Sequence, residues 1–282
     1  MEWVKTYTSD KTYHFDFSKT KNQTSHALDA AIDAAAYISE HYPPPYTLLL
    51  SGGVDSQAML WAWHKSKVPY KTLSAVYNHN LNDHDLETIR TFAANHDISI
   101  NFTDFDLFNF LETEYESYSD KYFCGSPQIC TFMKIADGVK EGTVIMSGNF
   151  IQRDQIVIPR NVAGLWHYKK LSNRNVIPYF FLETEDLAWA FNEYSWEVPV
   201  KFNYDVKVKT YQNFDFPIIP QEKKYNGFEK VKDWYDTNYK KPIPLENKVA
   251  KIMGQGSNRT FDLLYRNKFE VKFSQYKYVY KC

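Results

Sequence analysis

The chain has 282 residues, 44% of them hydrophobic, which is enough to bury the core of one large domain or of one domain with an extension. No apolar run of about 18 residues occurs, and the N-terminus lacks the basic and then apolar pattern of a signal peptide, which argues against membrane-spanning and secreted classes. Three cysteines are too few and too scattered for a disulfide framework. We therefore expect a globular, cytoplasmic protein with no membrane partner.

The net charge is −1, but the charge is unevenly distributed along the chain. After residue 200 there are 17 Lys and Arg against 9 Asp and Glu, so the first 200 residues hold the other 16 against 25. The basic part is also rich in Tyr and Phe, as in residues 201–214 and 269–281. This mixture has two interpretations: a surface that binds nucleic acid through phosphate contacts and base stacking, or a solvated face whose lysine stems cover aromatic rings.

The first predicted elements are a hairpin, a helix and a buried strand. Residues 1–20 form a predicted N-terminal β-hairpin that turns at Ser9-Asp10-Lys11. Residues 25–41 have apolar side chains at helical spacing, and three prolines at 43–45 end that helix. The wholly apolar sequence YTLLL, residues 46–50, predicts a strand buried on both faces of a parallel sheet.

Strands and helices then alternate up to about residue 195. Further strands are predicted at 72–77, 98–102, 143–147 and 175–180, and helices at 55–66, 84–96 and 128–140. This alternation predicts an α/β fold with an open, doubly wound parallel sheet over residues 21–195. Residues 196–282 form a basic, aromatic-rich extension that we expect to be α+β.

The sequence SGGVDS, residues 51–56, lies between the buried strand and the next helix. Glycines in such a loop let backbone N–H groups face a phosphate, the helix dipole favours an anion, and the Ser51 and Ser56 hydroxyls can add hydrogen bonds. Asp55 would repel a phosphate unless a cation lies between them, and Mg²⁺ is the natural choice. The alternative is a glycine turn whose Asp55 or Ser56 caps the helix.

The segment LLLSGGVDSQAML, residues 48–60, resembles the signature loop of the PP-loop ATP pyrophosphatases, and it lacks the Gly-Lys-Ser/Thr ending of a Walker loop. The resemblance implies a Rossmann-like fold of the adenine nucleotide α-hydrolase type, with ATP and Mg²⁺ as cofactors. It also implies that ATP is cleaved between its α and β phosphates and that AMP passes to a carbonyl oxygen of the substrate. The implied cofactor-binding residues are Ser51, Gly52, Gly53, Val54, Asp55 and Ser56 for pyrophosphate and Mg²⁺, and the backbone of Ala75, Val76 and Tyr77 for adenine.

Within that superfamily, residues 111–150 resemble the synthetase domain of asparagine and β-lactam synthetases, because "LET", a helix and a strand ending in "SG" follow in order. The resemblance implies that Glu112 acts near the reacting centre and that Asp154 is a second Mg²⁺ ligand beside Asp55. In this sequence, two more residues precede Asp154 than in the family pattern, and no glutamate follows it.

Two cationic side chains complete the predicted catalytic set. Lys134 lies on a predicted helix near the loop and would stabilise the charge that develops as pyrophosphate leaves; a solvated helix lysine is the alternative. Arg153 follows the fourth strand of the predicted sheet, at the carboxyl edge where open sheets bind ligands, and can hold a phosphate or a substrate carboxylate.

Three functions follow as hypotheses. The first is an adenylating enzyme that joins a small-molecule acceptor to ammonia or an amine in an amide-type C–N bond. The second is a nucleic-acid modification enzyme that holds RNA or DNA with its basic C-terminal region. The third is a nucleotide-binding module without catalysis. Assembly into a homo-oligomer stays open in each.

Overall fold

A computed structural model describes residues 2–19, 26–150, 162–194, 204–221, 228–239 and 260–281. The strands are β1 Lys5–Ser9, β2 Thr12–Asp16, β3 Tyr46–Leu49, β4 Lys71–Tyr77, β5 Phe102–Phe105, β6 Thr143–Met146, β7 Asn175–Ile177 and β8 Lys277–Lys281. The helices are α1 Ala27–His41, α2 Val54–Ser66, α3 Asp83–Asn95, α4 Leu107–Thr113, α5 Tyr115–Tyr122, α6 Pro127–Gly138, α7 Val162–Leu171, α8 Glu185–Tyr194, α9 Tyr204–Asn213, α10 Glu229–Asn238 and α11 Asn267–Phe273. A π-helical turn, Asp262–Arg266, leads into α11.

The central sheet has the order β5-β4-β3-β6-β7, and all of its strand pairs are parallel. From β3 the chain moves outward to β4 and β5, and then returns to the other side of β3 for β6 and β7. The predicted α/β fold with a doubly wound parallel sheet is therefore confirmed. The direction of winding changes between β3 and β6, which is where open α/β sheets bind their ligands.

Helices cover both faces of the central sheet, which explains why β3 is apolar throughout. Leu48 packs in a core with α1, α2 and α8, whereas Leu49 packs in a second core with α4 to α7. All four residues of β3 are buried, as the sequence predicts for a central strand with helices on both sides. None of the helices within the described ranges is long and apolar enough to cross a membrane.

The predicted strand at 98–102 is wrong in its position. The pairing of β5 with β4 begins at Phe102 and runs to Phe105. Ile98 and Ile100 instead lie before the strand and pack against the core of α1 and α2, so their alternation reflects helix packing. The true strand is mostly exposed at the edge of the sheet, and its sequence FTDF therefore lacks the apolar pattern of a buried strand.

The N-terminal hairpin belongs to a second sheet that the C-terminal strand completes. Its order is β1-β2-β8, with β2 antiparallel to β1 and parallel to β8. On the inner face, Tyr13 stacks on Tyr278 and Phe15 stacks on Tyr280. Trp166 of α7 meets Phe15 edge to face, so this small sheet packs on the layer that contains α7. The domain boundaries at 20 and 195 stay predictions.

His167 of α7 is buried under the second sheet, between the rings of Tyr13 and Phe123. Burial lowers the pKa of His167 from its ordinary 6.5 to about 4. The unfolded chain therefore takes up a proton below pH 6.5 that the folded chain accepts only near pH 4. The free energy of unfolding therefore falls by on the order of 3 kcal/mol as the pH falls from 6.5 to about 4. Above pH 6.5, His167 has no such effect on stability.

We expect His167→Leu to flatten this decline, because leucine fills the site without titrating. Urea unfolding of both proteins between pH 7 and pH 4 measures the change, and His41→Gln, at an exposed position, should keep the steep decline. If the stabilities of wild type and His167→Leu fell in parallel, His167 would not be the titrating group.

Candidate functional site

A cavity of about 330 Å³ opens at the carboxyl edge of the central sheet, beside the ends of β3, β4 and β6. One part of its lining is apolar and includes Leu73, Ile129, Phe132 and Met146. The other part is polar, with Ser51, Asp55, Asp85, Asn149 and Lys207. The cavity therefore suits a ligand with one flat apolar part and one charged part.

Gly52 gives the loop after β3 its shape. Its φ is +86°, a conformation that side-chain-bearing residues rarely adopt, and a Cβ at this position would lie 2.0 Å from the carbonyl oxygen of Asp85. The loop and the start of α3 are therefore in direct backbone contact. Gly53 forms the N-cap of α2 and lines the cavity, and no side chain in the described ranges caps that helix end. The first N–H groups of α2 are thus available to an anion.

The two loop serines have different positions. Ser51 lines the cavity, whereas Ser56 is 1% exposed and donates a hydrogen bond to the carbonyl oxygen of Gly53 at 2.8 Å. Their hydroxyl oxygens are 3.3 Å apart. Val54 is buried in the core. Of the predicted loop residues, Ser51, Gly53 and Asp55 therefore face the cavity, while Gly52, Val54 and Ser56 maintain the shape of the loop.

Asp55 interacts with two residues of α9 that the sequence analysis missed. The Lys207 ammonium donates to Asp55 Oδ2, and also to Asn149 Oδ1 at 2.6 Å. The Tyr211 hydroxyl donates to Asp55 Oδ1 at 2.7 Å. Burial, followed by the charge of Asp55, raises the pKa of Tyr211 well above 10, so this hydroxyl stays a donor at physiological pH. The Lys207 ammonium is therefore a candidate, within the chain itself, for the cation that we expect between Asp55 and a phosphate.

The Gln57 side chain links the segment after α9 to the loop through hydrogen bonds. Its side-chain NH₂ donates to the carbonyl oxygens of Gly52 at 2.9 Å and Ile219 at 3.1 Å, and its Oε1 accepts from the N–H of Ile219 at 2.7 Å. Gln221 then donates to Asp85 Oδ1 at 2.5 Å. These bonds hold the C-terminal extension against the loop, and Lys207 of the same extension lines the cavity. No motif marks these residues, because the partners are far apart in sequence.

The segment predicted to hold adenine lies beside the cavity, but its backbone is already engaged. Ala75 and Tyr77 line the cavity, whereas Val76 is not among the lining residues. Asn82 donates to the carbonyl oxygen of Ala75 at 2.8 Å and accepts from the N–H of Tyr77 at 2.9 Å. In this arrangement, Ala75 and Tyr77 present apolar surface to a ligand. The Ala75 carbonyl and the Tyr77 N–H are already bonded to Asn82.

Two of the remaining predicted catalytic residues, Glu112 and Lys134, are not among the residues that line this cavity. Lys134 projects from α6 and pairs with Glu114 at 2.5 Å. Glu112 is exposed on α4, where it raises the pKa of Tyr239 through a hydrogen bond. Arg153 and Asp154 lie outside the described residues. Catalytic roles for Glu112, Lys134 and Arg153, and a metal-ligand role for Asp154, stay predictions.

Comparison with known proteins found similarity among solved structures but not among families or curated sequences. No protein-family model and no curated sequence matches the chain. A solved structure of the U34-tRNA thiolase NcsA from Methanococcus maripaludis, with its [4Fe-4S] cluster, aligns at 11% identity with a TM-score of 0.38, covering 76% of this chain and 75% of the thiolase. The NMN synthetase from Francisella tularensis aligns at 13% identity with a TM-score of 0.32, covering 76% and 93% of the two chains. Neither activity can be transferred at these values.

Proposed function

We propose that the chain is an ATP-dependent adenylating enzyme of the PP-loop type. The observation that carries the proposal is the position of residues 51–56: the loop lies where the sheet changes its winding direction, with the N-terminus of α2 facing a cavity. Such a helix end binds phosphates. The apolar lining around Leu73 and Phe132 suits the adenine ring, and the polar lining around Ser51 and Lys207 suits the phosphates.

In the proposed reaction, a carbonyl or carboxylate oxygen of the substrate attacks the α-phosphorus of ATP. The bond from that phosphorus to the bridging oxygen breaks, and pyrophosphate leaves with the bonding electrons. The loop N–H groups and the Lys207 ammonium would hold the departing pyrophosphate and stabilise its charge. Asp55 and Asn149 position that ammonium through their hydrogen bonds. The protein contributes mainly by positioning the reactants.

The cavity also fits a Mg²⁺ ion that arrives with the phosphates. Asp55 and Asp85 both line it, and Ser51 and Asn149 add neutral oxygen atoms. Mg²⁺ is usually bound by one or two carboxylates plus substrate phosphates. Within the described ranges, no group of three or more His, Cys, Asp or Glu residues could hold a metal. When bound, Mg²⁺ would neutralise phosphate charge.

We further propose that the adenylate reacts with ammonia or an amine to form an amide-type C–N bond on a small-molecule acceptor. This part rests on the resemblance of residues 111–150 to the synthetase domain of asparagine and β-lactam synthetases. Glu112 and Lys134 add no support, since neither lines the cavity.

ATP labelled at the α-phosphate tests both parts. We expect labelled AMP and unlabelled pyrophosphate when the protein is incubated with Mg²⁺ and a small-molecule extract, and the AMP yield should increase when ammonia is added. AMP formed only with a nucleic-acid fraction would overturn the small-molecule acceptor but keep the adenylation. No AMP with any fraction would favour a nucleotide-binding module without catalysis.

A further inference from the structure

The outer face of the β1-β2-β8 sheet carries aromatic and cationic side chains in register. Directly opposed residues of neighbouring strands point to the same face. One row across the sheet is Tyr7, His14 and Val279; the rows on either side are Lys5, Asp16, Lys281 and Ser9, Thr12, Lys277. The inner face holds the Tyr13–Tyr278 and Phe15–Tyr280 stacks described above, so the outer face is a separate surface.

The middle row ends in an exposed aromatic stack. The rings of Tyr7 and His14 lie parallel, with centroids 4.1 Å apart and planes within 5° of each other. Tyr7 is 61% exposed and Val279 is 44% exposed. Because β1 is the edge strand, the only ring contact of Tyr7 within the described ranges is with His14. The other side of the Tyr7 ring can therefore accept a further planar group.

Lysines flank this stack on both sides. Lys5 and Lys281 lie in one neighbouring row and Lys277 in the other, and all three are exposed. Lys11 lies next to Lys277, because its carbonyl oxygen accepts the Lys277 N–H at 3.1 Å. The only acid in the three rows is Asp16, which is 3.5 Å from the Lys281 ammonium. Asp10, beside Lys11 in the hairpin turn, is the second acid of this surface, so four lysines and two acids leave a net positive charge around an exposed aromatic ring.

We propose that this face binds single-stranded nucleic acid, with an unpaired base stacked on Tyr7 and the phosphates of the same strand held by Lys5, Lys277 and Lys281. Aromatic platforms within a cationic surface bind single strands because every base has a flat face and every phosphate a charge. A lipid bilayer fits less well, since Val279 is the only aliphatic side chain in the three rows. The surface does not depend on the adenylation chemistry, so it is tested without ATP.

The test is fluorescence anisotropy of a labelled oligonucleotide of about 12 nucleotides with the full chain. We expect binding by the wild type at low salt. Tyr7→Ala should weaken it roughly 5- to 150-fold, because stacking contributes about 1–3 kcal/mol per base. Tyr7 is largely exposed, so this variant should stay folded. The triple variant Lys5→Gln, Lys277→Gln, Lys281→Gln should reduce the slope of log K against log salt by about 2, because each phosphate that a lysine neutralises adds about 0.7 to that slope.

The matched control is Lys65→Gln, Lys71→Gln, Lys140→Gln, which removes the same charge from three exposed lysines near the amino edge of the central sheet. It should bind like the wild type. Three results would overturn the proposal: no binding at low salt, equal losses in the two triple variants, or duplex bound as well as single strand. Binding to anionic phospholipid vesicles without oligonucleotide binding would overturn it as well.

Discussion

Asp55→Asn should reduce AMP formation from ATP by roughly 100-fold or more, which is the scale of removing one electrostatic interaction from an active site. The amide keeps the size of the side chain and can still accept from Tyr211, but it loses the charge that holds the Lys207 ammonium. It also removes one of the two carboxylates available to Mg²⁺. The protein should remain folded, because the change conserves volume and the Lys207 ammonium keeps its hydrogen bond to Asn149.

Single-turnover formation of labelled AMP, with the acceptor identified by the fractionation experiment, measures this effect. Asp33→Asn is the matched control, because Asp33 is an exposed acid on α1. The control should keep wild-type activity and the wild-type Mg²⁺ dependence. Full activity in Asp55→Asn would show that the reaction needs neither the Asp55 carboxylate nor the cation that this carboxylate holds. Equal losses in the two variants would point to a general effect of charge.

Lys207→Met has the second large expected effect, on stability as well as on turnover. The Asp55 and Lys207 side chains are only 19% and 13% exposed, so the substitution leaves a largely buried carboxylate without its cation. We expect a loss of about 1–3 kcal/mol in the free energy of unfolding. We also expect AMP formation to fall by roughly 100-fold, because the ammonium no longer stabilises the departing pyrophosphate.

Denaturant unfolding and AMP formation are measured on the same preparations. Lys209→Met is the control, since Lys209 is an exposed lysine on the same helix, α9. The double variant Asp55→Asn, Lys207→Met should be at least as stable as Lys207→Met, because the unpaired charge is then gone. Additive losses would mean that the two side chains act separately. Unchanged turnover in Lys207→Met would make Lys207 a structural partner of Asp55 only.

Local features were predictable from the sequence because they depend on neighbouring residues. The buried strand β3, the glycine loop at 51–56 and helix α2 follow each other within 21 residues, from Tyr46 to Ser66. The parallel sheet follows from the alternation of such units. The position of β5 was missed because its exposed residues carry no apolar pattern.

The rest of the site could not be predicted because its contacts span most of the chain. Lys207 lies 152 residues after Asp55, and Tyr211 lies 156 residues after it. Nothing in the spacing of a basic, aromatic segment shows which of its lysines turns toward a carboxylate. The Glu112 and Lys134 roles stay predictions for a related reason, since a position on a nearby helix does not determine which way the side chain points.

The pairing of β8 with β2 has a consequence for how the protein is made. Tyr278 and Tyr280 cover Tyr13 and Phe15, and the contact joins residues separated by 265 positions, as between Asp16 and Lys281. During synthesis from the N-terminus, β2 must leave the edge that pairs with β8 open until residues 277–281 emerge from the ribosome. Contacts between residues so far apart in sequence form slowly, and apolar surface stays exposed until they form. Completion of the small sheet is therefore a late step in folding, and a nascent chain that stalls before residue 277 carries an open strand edge.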